Sequence, residues 1–199
     1  MRFIGNKESI VNDIEALLDE KQLLGQRLSF FDAFTGSGSV ADHFKQYYDI
    51  TINDNLTWSV LYSRGRICAS SCQFLGLGCE PIEFFNNSTE TRHGFMYNNY
   101  SPANSTRMYF TPENAERIDY FRWQIEEWKN AGVISYDEYC YLLACLVESV
   151  SSVSNTSLSF ICVGTSITPE SASSLSLWNS RTADSRSVLN TSLPRLPMK

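Results

Sequence analysis

The chain has 199 residues and a formal net charge of −6, with 16 Lys and Arg against 22 Asp and Glu. Hydrophobic residues make up 43% and aromatics 13%, which suits one packed core with room for a subdomain and excludes a disordered chain. The acid surplus excludes a uniformly basic nucleic-acid domain, so any contact with phosphates must be local.

The opening MRFIGNKES has no apolar signal-peptide core, and no run reaches the roughly 18 apolar residues of a membrane helix. A cytoplasmic protein is expected, with its six cysteines as thiols. Cys68, Cys72 and Cys79 match no paired C-x-x-C spacing and no histidine lies near, so no metal site is expected.

Ile10, Ile14, Leu17 and Leu18 recur at helical spacing and predict an amphipathic helix ending near Gly25. On spacing alone, Lys7, just before it, is a solvated lysine. Residues 28–33 predict a strand, and Leu28, Phe30, Phe31 and Phe34 suit burial on both faces, as in a parallel sheet. Phe34-Thr35-Gly36-Ser37-Gly38 then turns the chain into a helix over about 39–46. Glycine there lets the backbone approach a nucleotide cofactor. The spacing Gly36-x-Gly38-x-x-Ala41 fits the dinucleotide fingerprint, and equally an ordinary tight turn. ITIND, residues 50–54, gives a second strand and completes a βαβ unit. Asp54 lies 22 residues after Asp32, where a carboxylate can accept both hydroxyls of a ribose or simply cap a polar turn.

Residues 56–70 continue as a helix. Gly76, Gly78 and Pro81 then break the periodicity, and FFNNSTETRHG reads as loop, with His93 at the surface. Residues 95–110 are rich in aromatic and amide side chains; Asn98, Asn99, Tyr100, Ser101 and Arg107 can bond base edges or phosphates, or form an ordered loop. Thr111-Pro112-Glu113 caps the next helix, whose buried stripe is Ala115, Ile118, Phe121, Ile125 and Trp128. Arg117, Arg122 and Lys129 lie off that stripe and are expected in solvent. Ser135 and Glu138 form a capping box for a second helix, antiparallel to the first. Beyond about residue 157 the pattern stops: residues 151–199 hold 14 serines and keep no helical or strand period.

From Arg2 to about Thr156 these segments resemble the type II DNA adenine-N6 methyltransferases of the D12 class. RFIGNK is similar to the family's opening motif, with Lys7 in the position that reaches the methionine end of S-adenosylmethionine. DAFTGSGSV resembles the loop under that cofactor, with Asp32, Phe34, Gly36 and Gly38 in the motif positions. NDN resembles the ribose site, at Asp54. The stretch from Gly94 through Thr156 is similar to the target-recognition insert of one branch, which implies double-stranded DNA as partner and Asn98, Asn99, Tyr100, Ser101 and Arg107 as its contacts. The fold implied is α/β: an incomplete Rossmann-like S-adenosylmethionine-dependent methyltransferase sheet with a helical recognition insert. The expected divisions are 1–79 for the cofactor part, 80–156 for the insert and 157–199 for an irregular tail.

The family's chemistry requires a further strand ending in Asp-Pro-Pro-Tyr, or Asn or Ser in its first place. The resemblance implies that this motif holds the flipped adenine and accepts a hydrogen bond from its N6, a poor nucleophile. Pro-Pro occurs nowhere among the six prolines, so no catalytic residue is assigned. The expectation is a cofactor-holding, DNA-facing chain, truncated or read in a shifted frame after about 156, inactive alone and incompletely covered. Competing readings are a non-enzymatic binding remnant, half of a split enzyme, and an NAD-dependent oxidoreductase.

Overall fold

The computed structural model describes residues 5–26 and 28–155. The stretch from 156 onward lies outside the described residues, as do Arg2 to Ile4 of the opening motif and Cys162. The chain is a mixed helix and strand structure built on a small parallel sheet. α1 (Val11–Glu20) precedes β1 (Ser29–Asp32), α2 (Ser39–Phe44) and β2 (Asp49–Ile52). β1 and β2 pair in parallel with Phe30 opposite Ile50 and Asp32 opposite Ile52, which is the βαβ unit expected from the sequence.

Phe30 points to the covered side and stacks on Phe44 of α2 at 5.2 Å, with Tyr48, Ile50 and Ile67 closing the cluster. α1 lays Ile14 and Leu18 on it. α1 stops at Glu20, short of Gly25, because Gln22 takes a positive φ of 56° and turns the chain out of the helix. The two-sided burial expected of β1 does not hold. Phe31 is 59% exposed, on the side of the two-stranded sheet opposite the cluster of Phe30 and Ile50, and Phe34, in the turn past the end of β1, is 88% exposed.

α3 (Thr57–Cys68) follows β2 and carries a short 3-10 turn, Ala69–Ser71. One of its faces is small: a Cβ on Gly65 would lie 2.3 Å from the carbonyl oxygen of Cys140. That closeness seats α3 directly on α7 (Tyr136–Val153), and Arg64 fastens the pair through Asp137 at 2.5 Å. The expected loop over FFNN is instead α4 (Pro81–Asn87). Pro81 stands at its first position and Glu80 caps it by accepting the Glu83 N–H, so the proline starts a helix there instead of breaking one.

α5 (Phe95–Tyr100) leads to α6 (Pro112–Asn130). Thr111 and the Ser135–Glu138 capping box begin α6 and α7 as the sequence predicts. The hairpin is antiparallel, since Tyr139 at the start of α7 bonds Glu126 late in α6, whereas Val153 packs with Ala115. Phe74, Phe85, Phe121, Ile125 and Leu142 form the larger core between these helices. Arg117 is not left in solvent: it donates to the carbonyls of Ser88 and Phe85 and lies 5.0 Å over the Phe121 ring. No helix among the described residues is long and apolar enough to cross a membrane.

Candidate cofactor loop and nucleic-acid face

The loop after β1 is braced from three sides. The carbonyl of Asn53 accepts the Thr35 N–H at 3.0 Å and so ties the loop to the end of β2. Asp54 then reaches across: its Oδ2 accepts the Gly36 N–H at 2.9 Å and its Oδ1 accepts the Leu56 N–H at 3.0 Å. From beneath, Ser59 and Ser63 of α3 donate to the Gly36 carbonyl at 2.5 and 3.1 Å. Gly36 and Gly38 both have left-handed backbone, with φ of 53° and 72°. At Gly38 a side chain is excluded twice, because a Cβ would also fall 2.7–2.9 Å from Ser63. At Gly36 the space is open, the nearest atom to a built Cβ being the Phe34 carbonyl oxygen at 4.0 Å.

Two carboxylates flank this turn and differ in charge preference. Burial pushes the half-buried Asp32 carboxyl above its usual range, against the pull of the Phe34 amide. The amides of Leu56 and Gly36 hold Asp54 below its usual range, as an anion. Lys7 is exposed, but both of its neighbours are anchored at the loop. Asn6 accepts hydrogen bonds from Ser39 and, at 3.3 Å, from Ser37; Glu8 lies 3.6 Å from Arg66. Arg66 itself is spent on the Ser37 carbonyl at 3.0 Å and on Asp42 at 3.1 Å. Phe34 points outward from the rim.

The aromatic and amide stretch is organised by a residue that sequence spacing does not reveal. Asp119 of α6 is buried, and its carboxylate accepts the N–H groups of Gly94, Met96 and Tyr97 at 2.8–3.0 Å, capping α5. Asn98 and Asn99 are exposed on that helix and donate back to the Gly94 and Phe95 carbonyls. Tyr100 carries the Arg107 guanidinium 5.1 Å over its ring. Ser101 is fully buried; its hydroxyl donates to the Tyr97 carbonyl and accepts the Ala103 N–H, so it holds the turn and does not face solvent. His93 is at the surface, stacked on Tyr97 at 3.9 Å.

Comparison with known proteins decides what this arrangement belongs to. The family model of the D12 class N6 adenine-specific DNA methyltransferases matches residues 3–192. The chain belongs to that family. Modification methylase LlaI of Lactococcus lactis subsp. lactis is 41% identical over 164 residues, 79% of this chain and 26% of the relative. Type II methyltransferase M.FokI of Planomicrobium okeanokoites is 37% identical over 165 residues, 79% of this chain and 25% of its own. M.NlaIII of Neisseria lactamica is 35% identical over 161 residues, 78% of this chain and 47% of its own. The chain thus spans between about a quarter and a half of the length of these relatives. No solved structure gives a significant match.

This D12 family chain brings the segments around Lys7, Gly36 and Asp54 together, although they lie in three separate connecting segments. Asn6, Ser59 and Ser63 complete the arrangement and went unnoticed in the sequence. The small polar residues at 59 and 63, four apart on one helix face where an apolar stripe would be usual, were the available signal. The family match also takes in much of the stretch from 157 that the motif resemblance left outside.

Proposed function

We propose that this chain contributes the S-adenosylmethionine cradle and the DNA-facing helices of an adenine-N6 DNA methyltransferase acting in a type II restriction–modification system. In this reading the βαβ unit is the start of a Rossmann-like sheet, and residues from about 80 to 156 are the target-recognition insert. The observation that carries it is the hydrogen bond of Gly36 to Asp54, in a loop that Asn6 also joins through Ser37 and Ser39.

The residues fit the cofactor. S-adenosylmethionine supplies an electrophilic methyl on a sulfonium and carries a ribose, an amine and a carboxylate but no phosphate. The open space over Gly36 admits a ligand against the backbone. Asp54 accepts the Gly36 and Leu56 amides, and its lowered pKa keeps it ionised, the state that accepts hydrogen bonds from ribose hydroxyls. In this reading Lys7 serves the carboxylate end, and Asp32 and Phe34 border the turn. Arg66, which reaches the loop backbone, is engaged by Asp42 and the Ser37 carbonyl. Asn98, Asn99, Tyr100 and Arg107 are the proposed DNA contacts, with Ser101 holding their turn.

The absence of Pro-Pro supports a second statement, that the 199 residues bind without transferring the methyl group. Calorimetry with S-adenosylmethionine and with NAD, together with tritiated-methyl transfer onto mixed-sequence DNA, tests both. Binding of the first ligand only, with no transfer, is the expected result. Preferential binding of NAD overturns the cofactor reading, and robust transfer overturns the inactivity.

A further inference from the structure

A cavity of about 530 Å³ opens between the start of α5 and the exposed side of α6, with Arg92, Phe95, Arg122 and Trp123 on its walls. Its two carboxylates are both engaged. Asp119 accepts three backbone N–H groups. Glu126 accepts from Arg122 at 2.7 Å, from Tyr139 at 2.9 Å and from Lys129 at 3.1 Å. Arg92 has no such partner: among the described residues its guanidinium forms no ion pair and rests 5.0 Å over the Trp123 ring. Trp123 is 37% exposed and Phe95 65% exposed at the rim, and Phe95 is the first residue of α5, the helix that presents Asn98 and Asn99. A guanidinium parked on an aromatic face, with its charge uncompensated, is the arrangement that exchanges a ring for a phosphate while leaving the ring free to stack.

We infer that this cavity is a DNA-backbone site in which Arg92 takes one phosphate and Trp123 packs against the adjoining sugar or an unstacked base. This rests on the DNA reading above and adds two residues outside the 95–110 stretch. In a chain of net charge −6, one uncompensated arginine beside an exposed indole is the kind of local contact that composition requires. The surface fits a nucleic acid better than an acidic peptide. The half-exposed indole beside the guanidinium offers a flat face for a base or sugar, and among the described residues lining the cavity Arg92 is the one cation without a carboxylate partner, which suits a single phosphate.

The test is fluorescence anisotropy with a labelled mixed-sequence DNA duplex across a salt series, using the full chain and Arg92→Ala, Arg92→Lys and Trp123→Ala. Loss of one phosphate contact lowers the slope of log affinity against log salt by about one in Arg92→Ala, uniformly across sequences, and Arg92→Lys retains it. Trp123→Ala loses affinity about ten-fold at an unchanged slope. An Arg92→Ala slope equal to wild type, with the wild type binding, overturns this site alone. Failure of the wild type to bind any duplex overturns the DNA reading with it. Binding of a polyglutamate peptide in place of DNA, lost in Arg92→Ala, assigns the cavity to protein and also overturns the site. Arg92 is exposed, and an unchanged melting temperature for each variant verifies that folding is intact.

Discussion

Asp54 and Gly36 are joined across the open end of the sheet: the carboxylate Oδ2 accepts the Gly36 N–H at 2.9 Å while its other oxygen accepts the Leu56 N–H. One side chain therefore shapes the glycine turn and is proposed to read the ribose. Asp54→Ala leaves two amides without acceptors and removes the anion. It is expected to cost about 1–3 kcal/mol of stability and at least about ten-fold in S-adenosylmethionine affinity. Asp54→Asn, which keeps one acceptor oxygen, is expected to fall between. Calorimetric affinities and urea midpoints separate the two effects; a ligand affinity unchanged in Asp54→Ala would remove Asp54 from the site.

Gly38 has no room for a side chain and no backbone freedom to give one. A Cβ there meets the Oγ, Cβ and Cα atoms of Ser63 at 2.7–2.9 Å, on a φ of 72°. Gly38→Ala is expected to lose about 2–4 kcal/mol, combining left-handed strain with overpacking. Ser63→Gly is not expected to rescue it, because the α3 backbone at residue 63 would still stand 2.9 Å from the new methyl. Chemical denaturation of the single and double variants checks this, and full rescue would show that the α3 backbone yields freely.

Asp119 holds the start of α5 from a distance of more than twenty residues. Its replacement by Ala strips three N–H groups of their acceptor, and a loss of about 2–4 kcal/mol is expected. Amide hydrogen exchange supplies the specific signature: protection over residues 94–100 should collapse while α7 keeps its own. Uniform loss across both helices would mean that Asp119 acts through general packing.

Glu126 gives the helical hairpin an acid limb. Burial opposes its ionisation, but the hydrogen bonds from Arg122, Tyr139 and Lys129 prevail and lower its pKa from 4.5 to about 2. A carboxylate depressed in the folded state contributes stability that is fully present above the unfolded value. That contribution is lost as pH falls from 4.5 toward about 2. Glu126→Gln is expected to flatten the fall in melting temperature across that window and to lower stability at neutral pH. An acid limb identical to wild type would mean that the three hydrogen bonds are not retained in solution.

What the sequence revealed and what it hid divide along contact range. The caps at Thr111 and at Ser135 with Glu138 were legible because a cap is written within four residues. The turn at Gly36 was legible because its glycines follow an apolar run directly. Asp119 was not, since its three partners lie 22–25 residues earlier and nothing marks it apart from other acids on a helix. Pro81 was misread because its role as a helix start depends on Glu80 folding back to the Glu83 amide. The exposure of Phe31 was hidden for another reason. Apolar side chains on both faces of a strand report what the strand is suited to bury, and the structure around it decides which face is covered.

The close seat of Gly65 on the Cys140 carbonyl makes α3 a two-sided part. On one side its serines donate to the carbonyl of Gly36; on the other Gly65 brings its backbone against the Cys140 carbonyl of α7, with the Arg64–Asp137 pair alongside. Interiors packed at crystal-like density transmit small displacements without absorbing them. A bulkier residue at position 65 would therefore act on both faces at once, since moving α3 off α7 would also shift Ser59 and Ser63 against the Gly36 carbonyl.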